Sequence, residues 1–227
     1  MPLGAAGKGT DMQFSKAARS GAAIIAVIVW GALATQLVLN FGKAGVEGKP
    51  LWIVPLELYG YFTIWSNTLV GLICTAVARG KAGLFSRAGT LGAAVVYIIV
   101  VGVIYNTLLV QYNPQTGIRL LTDTIFHTVV PISYPLWWAL LVPRGQMLWK
   151  AMWGALGFPL AYTFVALSRG ALTGKYAYFF LDVAKYGIVQ VLLNLVGLVI
   201  FFAVLMAGVI GFDRWRGLRN ATHQVTG

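Results

Sequence analysis

Runs of apolar residues alternate with short polar or charged breaks along almost the whole chain. Six runs are long enough to cross a bilayer as helices: Gly21 to Phe41, Pro55 to Ala78, Gly89 to Gln111, Leu120 to Val142, Met147 to Leu167 and Gly187 to Phe212. About 20 residues, each rising about 1.5 Å, cover the hydrocarbon core. The pattern predicts an all-α integral membrane protein of six transmembrane helices. Residues 1–19 then form an N-terminal tail, 20–212 the transmembrane domain and 213–227 a C-terminal tail.

Composition points the same way, since 59% of the 227 residues are hydrophobic and only 10% are charged, which excludes an ordinary water-soluble domain. The first run has Lys16 and Arg19 before it and Ala32-Leu-Ala34 within it, as a cleavable secretory signal would. Its apolar stretch continues to Phe41, which favours a permanent anchor. Cys74 is the only cysteine, so no intrachain disulfide can form.

The net charge of +11 would suit a nucleic-acid partner if it were clustered, but the basic residues flank the apolar runs. With the N-terminus inside, eleven of the 17 fall on the inner side: Lys8, Lys16, Arg19, Arg79, Lys81, Arg87, Arg144, Lys150, Arg214, Arg216 and Arg219. The outer side receives the other six, Lys43, Lys49, Arg119, Arg169, Lys175 and Lys185. The positive-inside rule therefore places both termini in the cytoplasm. The inner clusters read as charge facing anionic membrane lipids, and no nucleic-acid partner is expected.

Ionisable groups are costly in hydrocarbon, which draws attention to His127 in Asp123-Thr-Ile-Phe-His127-Thr-Val-Val-Pro131. Counting from the outer ends of the runs puts Thr63, His127, Asn194 and Asn106 at depths of about 8 to 12 Å, with Asn67 near about 18 Å. A polar layer shared by four helices can serve either interhelical hydrogen bonding or a site. Thr63 and His127 offer a hydroxyl and a base, the elements of an activated nucleophile. Asn67 lies one turn from Thr63, and Asp123 one turn from His127, where a carboxylate can orient an imidazole. A pocket in the outer half of the bundle is the expectation, with Asn67, Asn106, Asp123 and Asn194 as candidate substrate contacts.

Two outer loops add to that pocket. Residues 168–182 include Tyr176, Tyr178, Phe179 and Phe180, rings suited to the headgroup level or to a lid, with Asp182 at the rim. Residues 48–57 have the same mixed character and can share the roof. Two histidines and one cysteine cannot supply a typical zinc site, and the chain has no phosphate-cradling glycine loop and no GxSxG elbow, so no metal or cofactor is expected.

Taken together, Tyr61-Phe-Thr63-Ile-Trp-Ser-Asn67, Phe126-His127-Thr-Val-Val-Pro131 and Leu172-Thr-Gly-Lys-Tyr-Ala-Tyr178-Phe-Phe-Leu-Asp182 resemble the androgen-induced-gene family of membrane proteins and its bacterial six-helix relatives. The resemblance runs from the second apolar run to the sixth. Animal members are described as threonine hydrolases that cleave fatty acid esters of hydroxy fatty acids. By motif, the resemblance implies Thr63 as nucleophile and His127 as base. The chain departs from the animal pattern in three places: Pro131 comes one residue early, Asp123 replaces an amide, and Phe179 replaces a proline. An acid-base-nucleophile triad through Asp123 is thus not implied by the resemblance.

The expectation is an intramembrane hydrolase acting on an ester in a lipid or fatty acyl substrate, with Asp123 and Asp182 nearer the mouth and Tyr178 as a further substrate contact. The family branch implies a bacterial cytoplasmic membrane. The rival readings are a lipid-binding protein without catalysis and a small transporter. Against transport, the chain has no repeated pair of interrupted helices and no file of carboxylates across the membrane.

Overall fold

A computed structural model describes residues 12–112 and 114–225, with side chains described through residue 219. Among the described residues the chain is helical throughout, with no strand. Helix α1 (Lys16–Val46) starts at an N-cap in which the Ser15 hydroxyl accepts the Ala18 N–H at 3.1 Å. Its 31 residues extend about 46 Å, well beyond a hydrocarbon core. A one-turn helix α2 (Ile53–Leu58) precedes α3 (Phe62–Ala78).

Helix α4 (Ala88–Ile104) continues without a break through a π-helical turn, Tyr105–Leu109, and a 3-10 turn, Val110–Tyr112. In the same way α5 (Gly117–Thr124) passes through a second π-helical turn, Ile125–Val129, into α6 (Val130–Leu141). Helix α7 (Ala151–Thr173) ends at Gly174, whose φ of 69° is a left-handed helix stop. Helix α8 (Val183–Val225) bends at Gly187, where the backbone leaves helical geometry.

Five of these rods are long and apolar enough to cross a membrane: Lys16–Val46, Ala88–Tyr112, Gly117–Leu141, Ala151–Thr173 and Val183–Arg219. The run from Pro55 to Ala78 departs from its expected single span. It is broken at residues 59–61, and the apolar helix that remains has 17 residues, about 25 Å. The break is fixed from outside the segment. The Gly60 carbonyl accepts the Tyr162 hydroxyl at 2.9 Å, and the Arg169 guanidinium lies against the Gly60 Cα.

Helix α4 sits at the centre and packs on α3, α6, α7 and α8. It is apolar on every side, as a helix enclosed by others must be, and ten of its residues from Leu91 to Val101 are buried. Gly102 lets α4 approach the start of α6, because a Cβ there would stand 2.8 Å from Pro131. On the outside, Ile188, Leu192, Val196, Ile200 and Val204 repeat every four residues along α8 and are all more than half exposed. An apolar stripe of that length suits lipid rather than water.

Residues 213–219, expected as part of a tail, prolong α8, and two of their charges are buried. The Arg216 guanidinium meets Asp213 Oδ1 at 3.0 Å and donates to the carbonyls of Trp138 and Ala139 at the end of α6. Asp213 Oδ2 in turn accepts the Met147 N–H at 2.9 Å. A helix end that lacks partners for its last carbonyls is thus closed by a side chain from another helix. His223 lies outside the residues whose side chains are described.

Candidate functional site

The break at residues 59–61 puts Thr63 in the first turn of α3, not two turns inside a longer helix. Tyr61 is extended at the N-cap, and the Phe62 N–H, one of the first-turn donors without a helical partner, donates to the Tyr178 hydroxyl at 3.1 Å. That hydroxyl also interacts with the hydroxyl and N–H of Thr63 and with Tyr162. Desolvation raises the Tyr178 phenol above its ordinary pKa, so it stays protonated and can donate.

His127 and Tyr105 each sit in one of the two π-helical turns, and the two turns face each other. A π turn widens the helix locally and redirects side chains, a distortion found frequently at functional sites. Here it allows the Tyr105 ring to lie on the His127 imidazole. The Asn106 amide holds the turns together, donating to Gly102 O at 2.8 Å within its own helix and to His127 O at 2.9 Å across the gap.

The atoms around the imidazole define its tautomer. Nδ1 lies 3.0 Å from the Asp123 carbonyl oxygen and 3.1 Å from Asp123 Oδ1. Both are acceptors once the carboxylate is ionised, so the ring proton belongs on Nδ1. The other carboxylate oxygen, Oδ2, accepts the Tyr105 hydroxyl at 2.7 Å. Nε2 is then the bare nitrogen, and it stands 3.3 Å from Thr63 Oγ1. A hydroxyl facing an unprotonated imidazole, itself oriented by a carboxylate, is the arrangement that activates an oxygen nucleophile.

The structure thus brings together Thr63, His127, Asp123 and Tyr178 from α3, the second π turn, α5 and the 168–182 loop. The other expected contacts lie apart from this group. Asn67 is fully buried behind it and donates to Thr63 O at 2.9 Å, within reach of Phe126 O at 3.5 Å. Asn106 braces the His127 backbone and does not line the cavities beside Thr63. Asn194 donates to Phe180 O at 2.9 Å and so ties α8 to the aromatic loop. Asp182 starts α8, where Oδ1 accepts the Lys185 N–H at 3.0 Å.

Sequence reasoning missed Tyr105, whose ring gives no signal inside an apolar run. It also missed Gln36, whose amide within the first apolar run is the signal that could have found it. Gln36 Oε1 accepts the Thr122 hydroxyl at 2.7 Å, and Arg119 on the same helix reaches Asn40 Oδ1 at 3.0 Å and Leu39 O at 2.9 Å. These bonds moor α5, and with it Asp123 and His127, to α1.

Two cavities meet at the group. The larger, about 740 Å³, opens at the end of the bundle and has mixed walls, in which Leu58, Ile64 and Phe126 stand beside Gln36, Arg119, Asp123, His127 and Lys175. At its rim the exposed Glu47 is held below the usual carboxylate range by hydrogen bonding to Lys49, whose Nζ lies 2.6 Å away. The smaller is an apolar slot of about 50 Å³ between α4, α7 and α8. Thr63, Tyr105, Leu109 and Tyr178 line both. Among the described residues no three His, Cys, Asp or Glu side chains converge as metal ligands would.

Comparison of the chain with protein families, with curated proteins and with solved structures gives no match.

Proposed function

We propose that this chain is an intramembrane hydrolase that cleaves an ester bond in a lipid-like substrate, with Thr63 as nucleophile and His127 as general base. The observation that carries the reading is the 3.3 Å approach of Thr63 Oγ1 to the bare Nε2 of a histidine whose Nδ1 faces Asp123. The motif resemblance to the androgen-induced-gene family of threonine hydrolases, and to its esters of hydroxy fatty acids, adds to it. Under this reading α3 is the sixth, short crossing, both termini are cytoplasmic, and the site lies in the outer half of a bacterial cytoplasmic membrane. Lys43, Lys49, Arg119 and Lys175 then stand on the outer side, away from the larger basic cluster.

The reaction follows from the positions. Thr63 Oγ bonds to the ester carbon as its proton passes to His127 Nε2, and the carbonyl oxygen becomes an oxyanion. The Tyr178 hydroxyl, beside the Phe62 N–H and the Thr63 hydroxyl, turns its proton to that oxygen. The tetrahedral species collapses, Nε2 gives its proton to the leaving alcohol, and an acyl-threonine remains. Water then attacks the acyl carbon with Nε2 as base, and Thr63 recovers its proton as the acid leaves.

The core below this level favours a one-sided site over a through-pathway, since Val70, Ile73, Val77, Leu91 and Ile98 are packed with no exposure. The test is hydrolysis by the purified protein in detergent of a chromogenic short-chain ester and of a lipid ester. Thr63→Ala and His127→Ala are each expected to lose about a thousandfold or more in kcat. A fluorophosphonate probe is expected to add to Thr63 in the wild-type protein. Equal rates in wild type and both variants would remove the hydrolase reading and leave lipid binding or transport.

A further inference from the structure

From the basic residues that converge on the larger cavity, the chamber, we infer that the ester cleaved is one whose alcohol part carries a phosphate, as in an acidic glycerophospholipid. Arg169 and Lys175 bind that phosphate while Thr63 meets the ester carbon. This rests on the hydrolase reading and names the substrate class of the same site.

Six basic residues fall on the Thr63 side of the apolar runs: Lys43, Lys49, Arg119, Arg169, Lys175 and Lys185. All except Lys185 line the one chamber that Thr63 and His127 also line. Basic side chains at a membrane surface ordinarily spread along a bundle's flanks, with their heads reaching out to water and lipid phosphates. Here α1, α5, α7 and two loops turn theirs to a single space beside the candidate nucleophile. The Tyr176 ring lies against Gly170, which seats the loop carrying Lys175 on the turn of α7 that carries Arg169.

The carboxylates in the wall are spent elsewhere. Glu47 holds both Lys43 and Lys49, at 3.7 and 2.6 Å, and Glu57 adds its field at Lys49. Asp123 is turned to His127 and Tyr105. Arg119 meets only the neutral oxygens of Asn40 and Leu39. Neither Arg169, which is half-buried, nor Lys175 has a carboxylate within ion-pair distance among the described residues. Three positive charges around the site are therefore uncompensated, a field that concentrates an anionic ligand.

The number of charges selects the anion. A carboxylate satisfies one guanidinium in a bidentate pair and leaves the other two cations unmet. A phosphate monoester brings a charge of about −1.5 to −2 and three strong acceptor oxygens. Arg169 and Lys175 donate to these oxygens, and Arg119, already bonded, adds its field. The phosphate is held and not cleaved. In a glycerophospholipid it lies only a few bonds from the acyl ester, so both groups fit within one chamber of about 740 Å³.

The experiment compares kcat/KM for dioleoyl phosphatidic acid, dioleoylglycerol and the oleoyl ester of hydroxystearic acid, each dilute in micelles of a neutral detergent. Wild type is expected to prefer phosphatidic acid over dioleoylglycerol by about a hundredfold, and Arg169→Gln or Lys175→Gln to cut that ratio by about tenfold each. A disturbance of the turn at Gly60 would lower both rates together and leave the ratio as it was. Lys185→Gln, outside the chamber, retains the wild-type ratio. A ratio near one in wild type, or one that Lys185→Gln lowers as much as the chamber variants do, overturns the inference while Thr63-dependent hydrolysis stands. Preference for the hydroxystearate ester means that a carboxylate is read and overturns it too. If inorganic phosphate raises the rate on dioleoylglycerol, the chamber binds free phosphate as an effector, and the substrate assignment fails. Hydrolysis of all three esters indistinguishable from that of Thr63→Ala removes the underlying reading, and this inference with it.

Discussion

The Tyr105 ring lies flat on the His127 imidazole, with centroids 3.5 Å apart and planes 11° from parallel, while its hydroxyl bonds Asp123 Oδ2 at 2.7 Å. One side chain thus holds both the face of the imidazole and the carboxylate behind it. The two functions can be separated. Tyr105→Phe keeps the ring and loses one charge-assisted hydrogen bond, and kcat is expected to fall about tenfold. Tyr105→Leu loses both, with an expected fall of about a hundredfold. In each variant KM stays within about twofold, because the residue acts through His127. Steady-state kinetics on one ester distinguish this from a general loss of fold, which would lower the active fraction without separating Phe from Leu.

The orientation of the chain is checked by labelling. Cys74 is fully buried, so Cys74→Ser provides a background free of thiols. On that background, Lys175→Cys in the loop after α7 is expected to react with a membrane-impermeant maleimide on intact cells. Arg87→Cys before α4 is expected to react only after lysis. The reverse pattern would turn the topology over and place the chamber on the cytoplasmic side.

The apolar periodicity made the rods legible, and polar residues within them led to Thr63 and His127. What could not be read has particular causes. The break before α3 runs through Tyr59, Gly60 and Tyr61, which hydropathy cannot tell from helix, and the groups that meet it, Tyr162 and Arg169, lie about a hundred residues away. The π turns leave the apolar pattern intact, so neither they nor the Tyr105–His127 stack is visible in it. Depth counting grouped Asn106 and Asn194 with the site because depth says nothing of direction, and both amides turn to backbone carbonyls. Asp213 and Arg216 read as tail because charges normally seek water. Their mutual pairing, with Met147 N–H and the α6 carbonyls, allows burial.

That buried pair makes a prediction about stability. Asp213 and Arg216 side chains are only 2% and 5% exposed, and removing one partner strands the other. Asp213→Ala is expected to cost about 3–5 kcal/mol, and thus to lower the melting temperature in detergent by about 10 °C. The double variant Asp213→Leu/Arg216→Met removes both charges and is expected to regain part of the loss. It does not regain all of it, because Met147 N–H and the Trp138 and Ala139 carbonyls lose their partners. Thermal shift on the three proteins checks the order, and equal melting temperatures would mean that the pair contributes little.

Asp123 supplies the sharpest test of how the imidazole is held. In a Ser-His-Asp triad the aspartate alone fixes the tautomer, and its change to asparagine costs about ten-thousandfold. Here His127 Nδ1 has two acceptors, Asp123 Oδ1 at 3.1 Å and the Asp123 backbone oxygen at 3.0 Å, and substitution removes only the first. The backbone oxygen still requires a proton on Nδ1, so Nε2 remains bare toward Thr63. Asp123→Asn is therefore expected to lower kcat by only about tenfold, the share that comes from stabilising the imidazolium as it forms. A loss of about ten-thousandfold would instead mean that the backbone oxygen does not hold the ring, and that this chain depends on the full carboxylate.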